Sequence, residues 1–427
     1  MTQEPGLATT PPSLSKIGCA LVLVTAFLGW MCAGWQLAIS SLAMRDAAKD
    51  LLGSGNEGDV GAWFGRLICA FLLGAAFGGY VFGFAGDRLG RAKAMGLSIL
   101  WYSGFSAATV FVTDPWQLLA CRFLGCMGIG GMWPNGIALV SEAWPNISRP
   151  FLAGAIGTAA NFGIMILSAV ASWKTVTAED WRWIMWFGST PFILGLFVLF
   201  AVPESPKWLA LQDGEEEDSQ AKRAGIGEIF KRPLIATTIL GIALGTVPLF
   251  GGWGSSTWVM PWAAAQEDMP ELKAHLSLAR SLTGTISSLL GGGIAMLLGR
   301  RRSYFIASLG ALVSAQVLFW FLTPEANQGW FIFWFGMLGF FSGFFFGWLP
   351  LFLPELFPTR VRSTGAGVSF NWGRIVTALG VVASSYLLQH VFGGDYAQIG
   401  RVTSLVYVAG MIVILFAPDT SNRSLAE

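Results

Sequence analysis

Twelve stretches of largely apolar residues, each closed by charge, Pro or Gly, leave this chain little choice but to fold inside a bilayer. They lie near 17–43, 60–85, 94–113, 116–142, 150–173, 181–202, 233–262, 276–298, 303–322, 329–353, 363–390 and 398–417. A membrane-spanning helix needs about 20 such residues. In lipid every backbone amide must find its partner within the segment, so each run is predicted to be a helix. The composition agrees: 54% of residues are hydrophobic and 12% charged, against about a quarter charged in soluble domains. The expected class is an all-α membrane protein with twelve transmembrane helices. The 54 glycines suit close helix packing, and the 20 tryptophans suit interfacial belts and an aromatic cavity.

A polar stretch at 203–232, with Glu215, Glu216, Glu217, Asp218, Lys222 and Arg223, divides six runs from six. The organisation expected is a tail (1–16), a six-helix bundle (17–202), a linker (203–232), a second bundle (233–417) and a closing tail (418–427). With the N-terminus inside, sixteen of the 26 basic residues fall in inside segments, seven outside and three, Arg66, Arg122 and Arg374, within helices. That bias predicts cytoplasmic termini. A net charge of +1 gives no hint of nucleic acid. Cys19, Cys32, Cys69, Cys121 and Cys126 match no zinc or redox spacing and read as small apolar residues. No nucleophile–base pair, metal cluster or cofactor loop marks an enzyme. Gly125, Gly128, Gly130 and Gly131 follow no strand, so they read as packing glycines rather than a dinucleotide loop.

The halves also repeat. Glu142-Ala-Trp-Pro145 runs to Arg149 at the end of the fourth run, and Glu355-Leu-Phe-Pro358 runs to Arg362 at the end of the tenth. Asn161-Phe162-Gly163 is echoed by Asn371-Trp372-Gly373, and Gly86-Asp87-Arg88 pairs with a degraded Gly299-Arg300-Arg301. Duplicated bundles of this kind place a solute site between the halves near mid-bilayer.

Gly86-Asp87-Arg88-Leu89-Gly90-Arg91 resembles the loop-two signature of the major facilitator superfamily. Arg122 to Gly131, running on to Glu142 and Arg149, resembles the fourth-helix signature of the branch holding sugar porters, aromatic-acid and metabolite symporters, and organic ion transporters. Pro203-Glu204-Ser205-Pro206 and Pro354-Glu355-Leu-Phe-Pro358-Thr359-Arg360 fit the same branch, the latter closer to its aromatic-acid and organic-ion members. The resemblance implies alternating access, a membrane-lipid setting and a monomer. From the absence of a cofactor loop and the balanced charge, no cofactor and no nucleic-acid partner are expected. Asp87, Arg88, Arg91, Glu142, Arg149, Glu355 and Arg362 lie where helices meet the cytoplasm, and are expected to form an inner gate that pairs in one state and separates in another.

Ionisable groups within a bilayer are costly, and so are functional candidates. Arg374, near the middle of the eleventh run, presents a planar fork suited to a carboxylate. The organic-anion members resembled here place an arginine in the corresponding helix. In proton-coupled sugar porters the arginine matching Arg122 pairs with a helix-one aspartate; here Gln36 stands at that place. No Asp or Glu lies in the core of any run, so Arg122 is expected to meet Gln36 or the solute, and the usual proton carrier is absent. His275 and His390 read as interfacial, and Arg66 as a residue of the cavity mouth. Asn161 and Asn371 are candidates to orient the solute. Trp133, Trp253, Trp258, Trp348 and Trp372 are candidates to stack on it. The expected function is transport of a small organic anion by alternating access. A facilitator of a neutral solute such as a sugar, or a transporter-like solute sensor, is the alternative.

Overall fold

The computed structural model describes residues 14–53, 57–144, 149–212, 226–266, 269, 271–358, 361–418 and 420. The described residues are helical with no strand, and eleven helices are long and apolar enough to cross a membrane. A twelfth, Arg91–Thr109, is shorter at 19 residues and opens on two cations. We number the spans α1 (Lys16–Leu42), α2 (Glu57–Leu89), α3 (Arg91–Thr109), α4 (Pro115–Ala143), α5 (Arg149–Trp173) and α6 (Arg182–Ala201). The second set is α7 (Ile235–Ala264), α8 (Leu272–Leu298), α9 (Arg300–Phe321), α10 (Gln328–Glu355), α11 (Arg362–His390) and α12 (Tyr396–Phe416).

Local chemistry sets the helix ends. The Asp114 carboxylate accepts from the amides of Trp116 and Gln117 and, with Pro115 at the first position, starts α4. Asp395 does the same for α12 through Ala397 and Gln398. At the start of α3, Glu204 from beyond α6 accepts from the amides of Ala92, at 2.9 Å, and Lys93. An acidic group over these orphan donors is favoured by the helix dipole. Gly90 (φ 109°) and Gly299 (φ 86°) make the tight turns into α3 and α9 at positive φ, where a side chain would be strained. Their shared geometry corrects the register of the internal repeat. Leu89-Gly90-Arg91 corresponds to Leu298-Gly299-Arg300, so Arg300 is the counterpart of Arg91 rather than of Asp87.

Two cores result. One joins α1–α6 around Val22, Phe64, Tyr102, Ile129 and Leu167; the other joins α7–α12 around Leu244, Tyr304, Phe335, Phe345 and Trp348. Gly130 of α4 meets the backbone of Ala75, and Gly78 of α2 meets that of Met127, so a Cβ at either place would drive the two helices apart. Span α7 is broken: Pro248 precedes a π-helical turn at Gly251–Ser255 and a 3₁₀ turn at Ser256–Trp258. The Ser256 hydroxyl donates to the carbonyl of Gly251 at 2.6 Å, satisfying part of the interrupted ladder.

Candidate functional site

Both ends of the described chain lie at one end of the bundles, called the near end here. The opposite, far end is where the halves are sealed. The apolar core of the first bundle runs there directly into Trp258, Ala274, Ala378, Val381 and Leu388 of the second. Polar contacts reinforce the seal. Asp46, on a short helix (Met44–Leu52) after α1, accepts from the Lys273 ammonium at the start of α8. Lys273 also donates to the carbonyl of Val176. Arg45 lies 3.7 Å from the same carboxylate and donates to the Ala264 carbonyl at 3.2 Å. Arg45, Asp46 and Lys273 are only 4%, 6% and 5% exposed, so the cluster is a buried, cross-bundle ion group. Gln389 donates to Asp59 at 3.2 Å, and Ser168 to Ser277 at 2.7 Å, along the flanking seams.

Along the α2–α11 seam the contact ends abruptly. A Cβ at Gly61 would meet Leu388, one at Gly65 Ser385, and one at Gly79 would stand 3.2 Å from the Asn371 amide. One turn further, on the same faces, Gly83 of α2 and Gly367 of α11 have nothing within 4 Å. On the opposite seam Asn161 of α5 faces Gly284 of α8, 3.9 Å from where its Cβ would be. Asn371 therefore marks the depth to which the halves stay in contact on the α2–α11 seam. From there the space between them opens towards the near end.

The mid-depth arginines lie just on the far side of that level. Arg374, one turn from Asn371, donates to its side-chain oxygen at 3.3 Å and to the Ala75 carbonyl of α2 at 3.4 Å, with Phe370 beneath the guanidinium at 4.9 Å. These are long bonds. Its described partners include no carboxylate. Trp253, in the broken turn of α7, packs across the seam on Phe71 of α2 at 4.6 Å, one turn from Ala75. Arg280 of α8, which the sequence reading passes over as an outside residue, is a fourth arginine within a span. Its one described hydrogen bond is a long 3.5 Å contact to the Gly252 carbonyl, and it lies 5.9 Å from the Phe335 ring centre. Helix α8 begins at Leu272, not near 276, which carries Arg280 a full turn deeper than the hydropathy run implies.

Other candidates have different surroundings. Arg122 is buried between α1 and α4, and donates to the Gln36 carbonyl at 3.2 Å and to the Ser40 hydroxyl. The Gln36 amide itself donates to the Gly188 carbonyl of α6 at 2.7 Å. Trp133 packs on Trp30 within the first bundle at 4.8 Å. Trp258 is fully buried in the far seal between Phe64 and Tyr396, its indole bonded to Gly254. Trp348 is fully buried among Tyr304, Phe352 and the Arg300 carbonyl. Trp372 is exposed and lies against Phe230 on a different face from Asn371. Arg66 covers Trp63, and His390 stacks on Tyr386 at 4.3 Å.

At the near end, Asp87 pairs with Arg91 at 2.7 Å, and Arg88 covers Phe84. Glu355 takes Arg300 at 2.9 Å and the Thr420 hydroxyl at 2.6 Å. Glu142 takes the hydroxyl of Ser205. Ser205 follows α6 as Thr420 follows α12, so the two carboxylates repeat in partner as well as in place. The side chains of Arg149 and Arg362 lie outside the described residues. Among the described residues no group of His, Cys, Asp and Glu has the makings of a metal site.

Comparison with known proteins agrees with this architecture. The profile of the Major Facilitator Superfamily matches residues 19–381, and the chain belongs to that family of transporters. A Haemophilus influenzae protein assigned by name to metabolite transport is 26% identical, over 94% of this chain and 97% of its own. The cis,cis-muconate transport protein of Acinetobacter baylyi is 23% identical, over 95% and 96%. Among solved structures, the inward-open form of the xylose transporter XylE from E. coli superposes with a TM-score of 0.75 at 18% identity, covering 95% of this chain and 98% of that one. The relatives and neighbours are transporters rather than enzymes.

Proposed function

We propose that this transporter moves a small organic anion, a carboxylate with an apolar or aromatic body, and that the near end faces the cytoplasm. The observation behind this reading is Arg374: a partly enclosed guanidinium at mid-depth in a bilayer protein, held by two long hydrogen bonds that leave most of its donors for a carboxylate. Asn371 steadies the guanidinium, Asn161 faces the same level from the other half, and Trp253 with Phe71 offers an apolar wall. The relative named for cis,cis-muconate handles a carboxylate, which is consistent. Gln36 carries an amide that does not titrate, so it supplies no proton carrier beside Arg122. Movement by facilitated diffusion, by exchange or with a substrate-borne proton follows. The arrangement described is then the cytoplasm-open state.

Purified protein should be stabilised against heat by carboxylates such as benzoate and muconate and not by pentoses or organic cations. Proteoliposomes should take up the stabilising compounds. Stabilisation by sugars alone would replace the anion reading with the neutral-solute one, and binding without uptake would favour a sensor.

The near-end charges fit a gate that pairs across the halves when the far end opens. In the cytoplasm-open state Asp87 is half-exposed and neutralised only across the α2–α3 turn of its own half, by Arg91. Asp87→Asn should therefore shift the population further towards cytoplasm-open forms. Spin-label distances between the near ends of α2 and α11 would report this, and an unchanged distribution would leave these residues as topology charges only.

A further inference from the structure

Arg280 has no role in the sequence-derived site, yet its surroundings match those of Arg374. We infer that Arg280 is a second anion anchor facing the same central space, so that the preferred solute carries two carboxylates. This rests on the anion reading above and sharpens it.

Three observations place the residue. The first is depth. Arg280 precedes Gly284, the crossing point with Asn161, by one turn, and Arg374 follows Asn371, the crossing point with Gly79, by nearly one turn. Both cations thus lie on the far side of the paired asparagine levels, under the sealed end. The second is direction. The Arg280 guanidinium leaves α8 towards Gly252 in the broken turn of α7, and the next residue, Trp253, packs on Phe71, one turn from the Ala75 carbonyl that Arg374 reaches. The third is incomplete bonding. A guanidinium has five N–H donors, and Arg280 has one described hydrogen bond, at 3.5 Å. The residue is only partly enclosed, and its remaining nitrogens are not among the buried atoms that lack a partner.

Two such forks on α8 and α11 of one bundle, with an aromatic pair between, match a body with a carboxylate at each end. A single-charged solute would leave one guanidinium unmatched in a low-dielectric space. The interrupted α7 places its freed carbonyls and Trp253 between the two anchors, as expected where a broken helix lines a solute site.

The test is binding, by thermal shift or tryptophan fluorescence, of dicarboxylates (cis,cis-muconate, adipate, terephthalate) against their monomethyl esters, which keep the body and remove one charge. Wild type should bind at least one diacid about 30-fold more tightly than its monoester, a plausible span for one charge-assisted pair. Arg280→Gln should remove that preference and leave monoester affinity within about twofold. Arg280→Lys, which keeps the charge, should retain about a third of the preference on a logarithmic scale. A wild type that binds monoesters as well as diacids overturns this inference and leaves the anion transporter standing. So does an Arg280→Gln variant that weakens both alike. A wild type that binds no carboxylate overturns both readings. Because the wild-type ratio alone can refute the proposal, it stays decidable even if neither variant folds.

Discussion

Arg374→Ala is expected to weaken carboxylate binding by on the order of 10²-fold while leaving the unliganded protein nearly as stable as before. The asymmetry comes from the geometry. The two protein hydrogen bonds of Arg374 are long, at 3.3 and 3.4 Å, and contribute little to the fold. A bound carboxylate would take two short charge-assisted bonds from the same fork, each worth about 1.5–3 kcal/mol. Losing about 3 kcal/mol of that corresponds to somewhat over two decades in Kd. Arg374→Lys keeps the charge and gives up the bidentate fork, so an intermediate loss of about tenfold is expected. The readout is ligand-induced thermal stabilisation beside the melting temperature of each apo-protein. A large fall in apo stability with unchanged affinity would make Arg374 a structural residue and return the neutral solute as the better reading.

Lys273→Met should open the far end. In the described state Lys273 meets Asp46 across the bundles in a site almost closed to water, with Arg45 beside it. Removing one member of a buried pair costs about 3–5 kcal/mol when nothing replaces it, and with Arg45 still 3.7 Å from Asp46 the lower end applies. That cost falls only on the far-closed state, because separation of the halves hydrates Asp46. A bias of 3 kcal/mol changes the ratio of the two states by over 10²-fold. Distances between labels at the far ends of α2 and α11 should lengthen in the variant. Asp46→Asn should act in the same direction, and Asp46→Asn with Lys273→Met should recover part of the closed population, since both members of that pair are then neutral and Arg45 keeps its bond to the Ala264 carbonyl. Unchanged far-end distances in both single variants would show that the apolar seal around Trp258 holds the halves together alone.

The far-end cluster and Arg280 share a reason for being missed in the sequence. Arg45, Asp46 and Lys273 lie within one turn of a helix start, and Arg280 stands a turn deeper than its hydropathy run implies, because hydropathy places boundaries only to within a few residues. Arg45, Asp46 and Lys273 read as loop charges and Arg280 as one at the outer edge of its run, yet α8 begins early and a short helix follows α1, so the first three are buried and Arg280 sits more than two turns inside α8. The repeat register failed for a related reason. Matching Gly86 to Gly299 by neighbouring letters ignored that a positive-φ turn, made by Gly90, defines the equivalent position.

The sequence by itself determined the solvent, the helical class, the two-fold duplication and the presence of Arg374, Asn161 and Asn371 at spaced positions within spans. Apolar length and charge placement are properties of each segment alone, and lipid enforces them segment by segment. Only the tertiary structure decided which faces meet. It buried Trp258 in the far seal against Phe64 and Trp348 against Tyr304 in the second bundle, brought Trp253 to Phe71, and gave the Gln36 amide to Gly188. It also set the level at which the halves part, between Gly79 and Gly83. An aromatic or a buried amide satisfies the same hydropathy on any face of a helix, so its direction is fixed by packing between helices far apart in the chain.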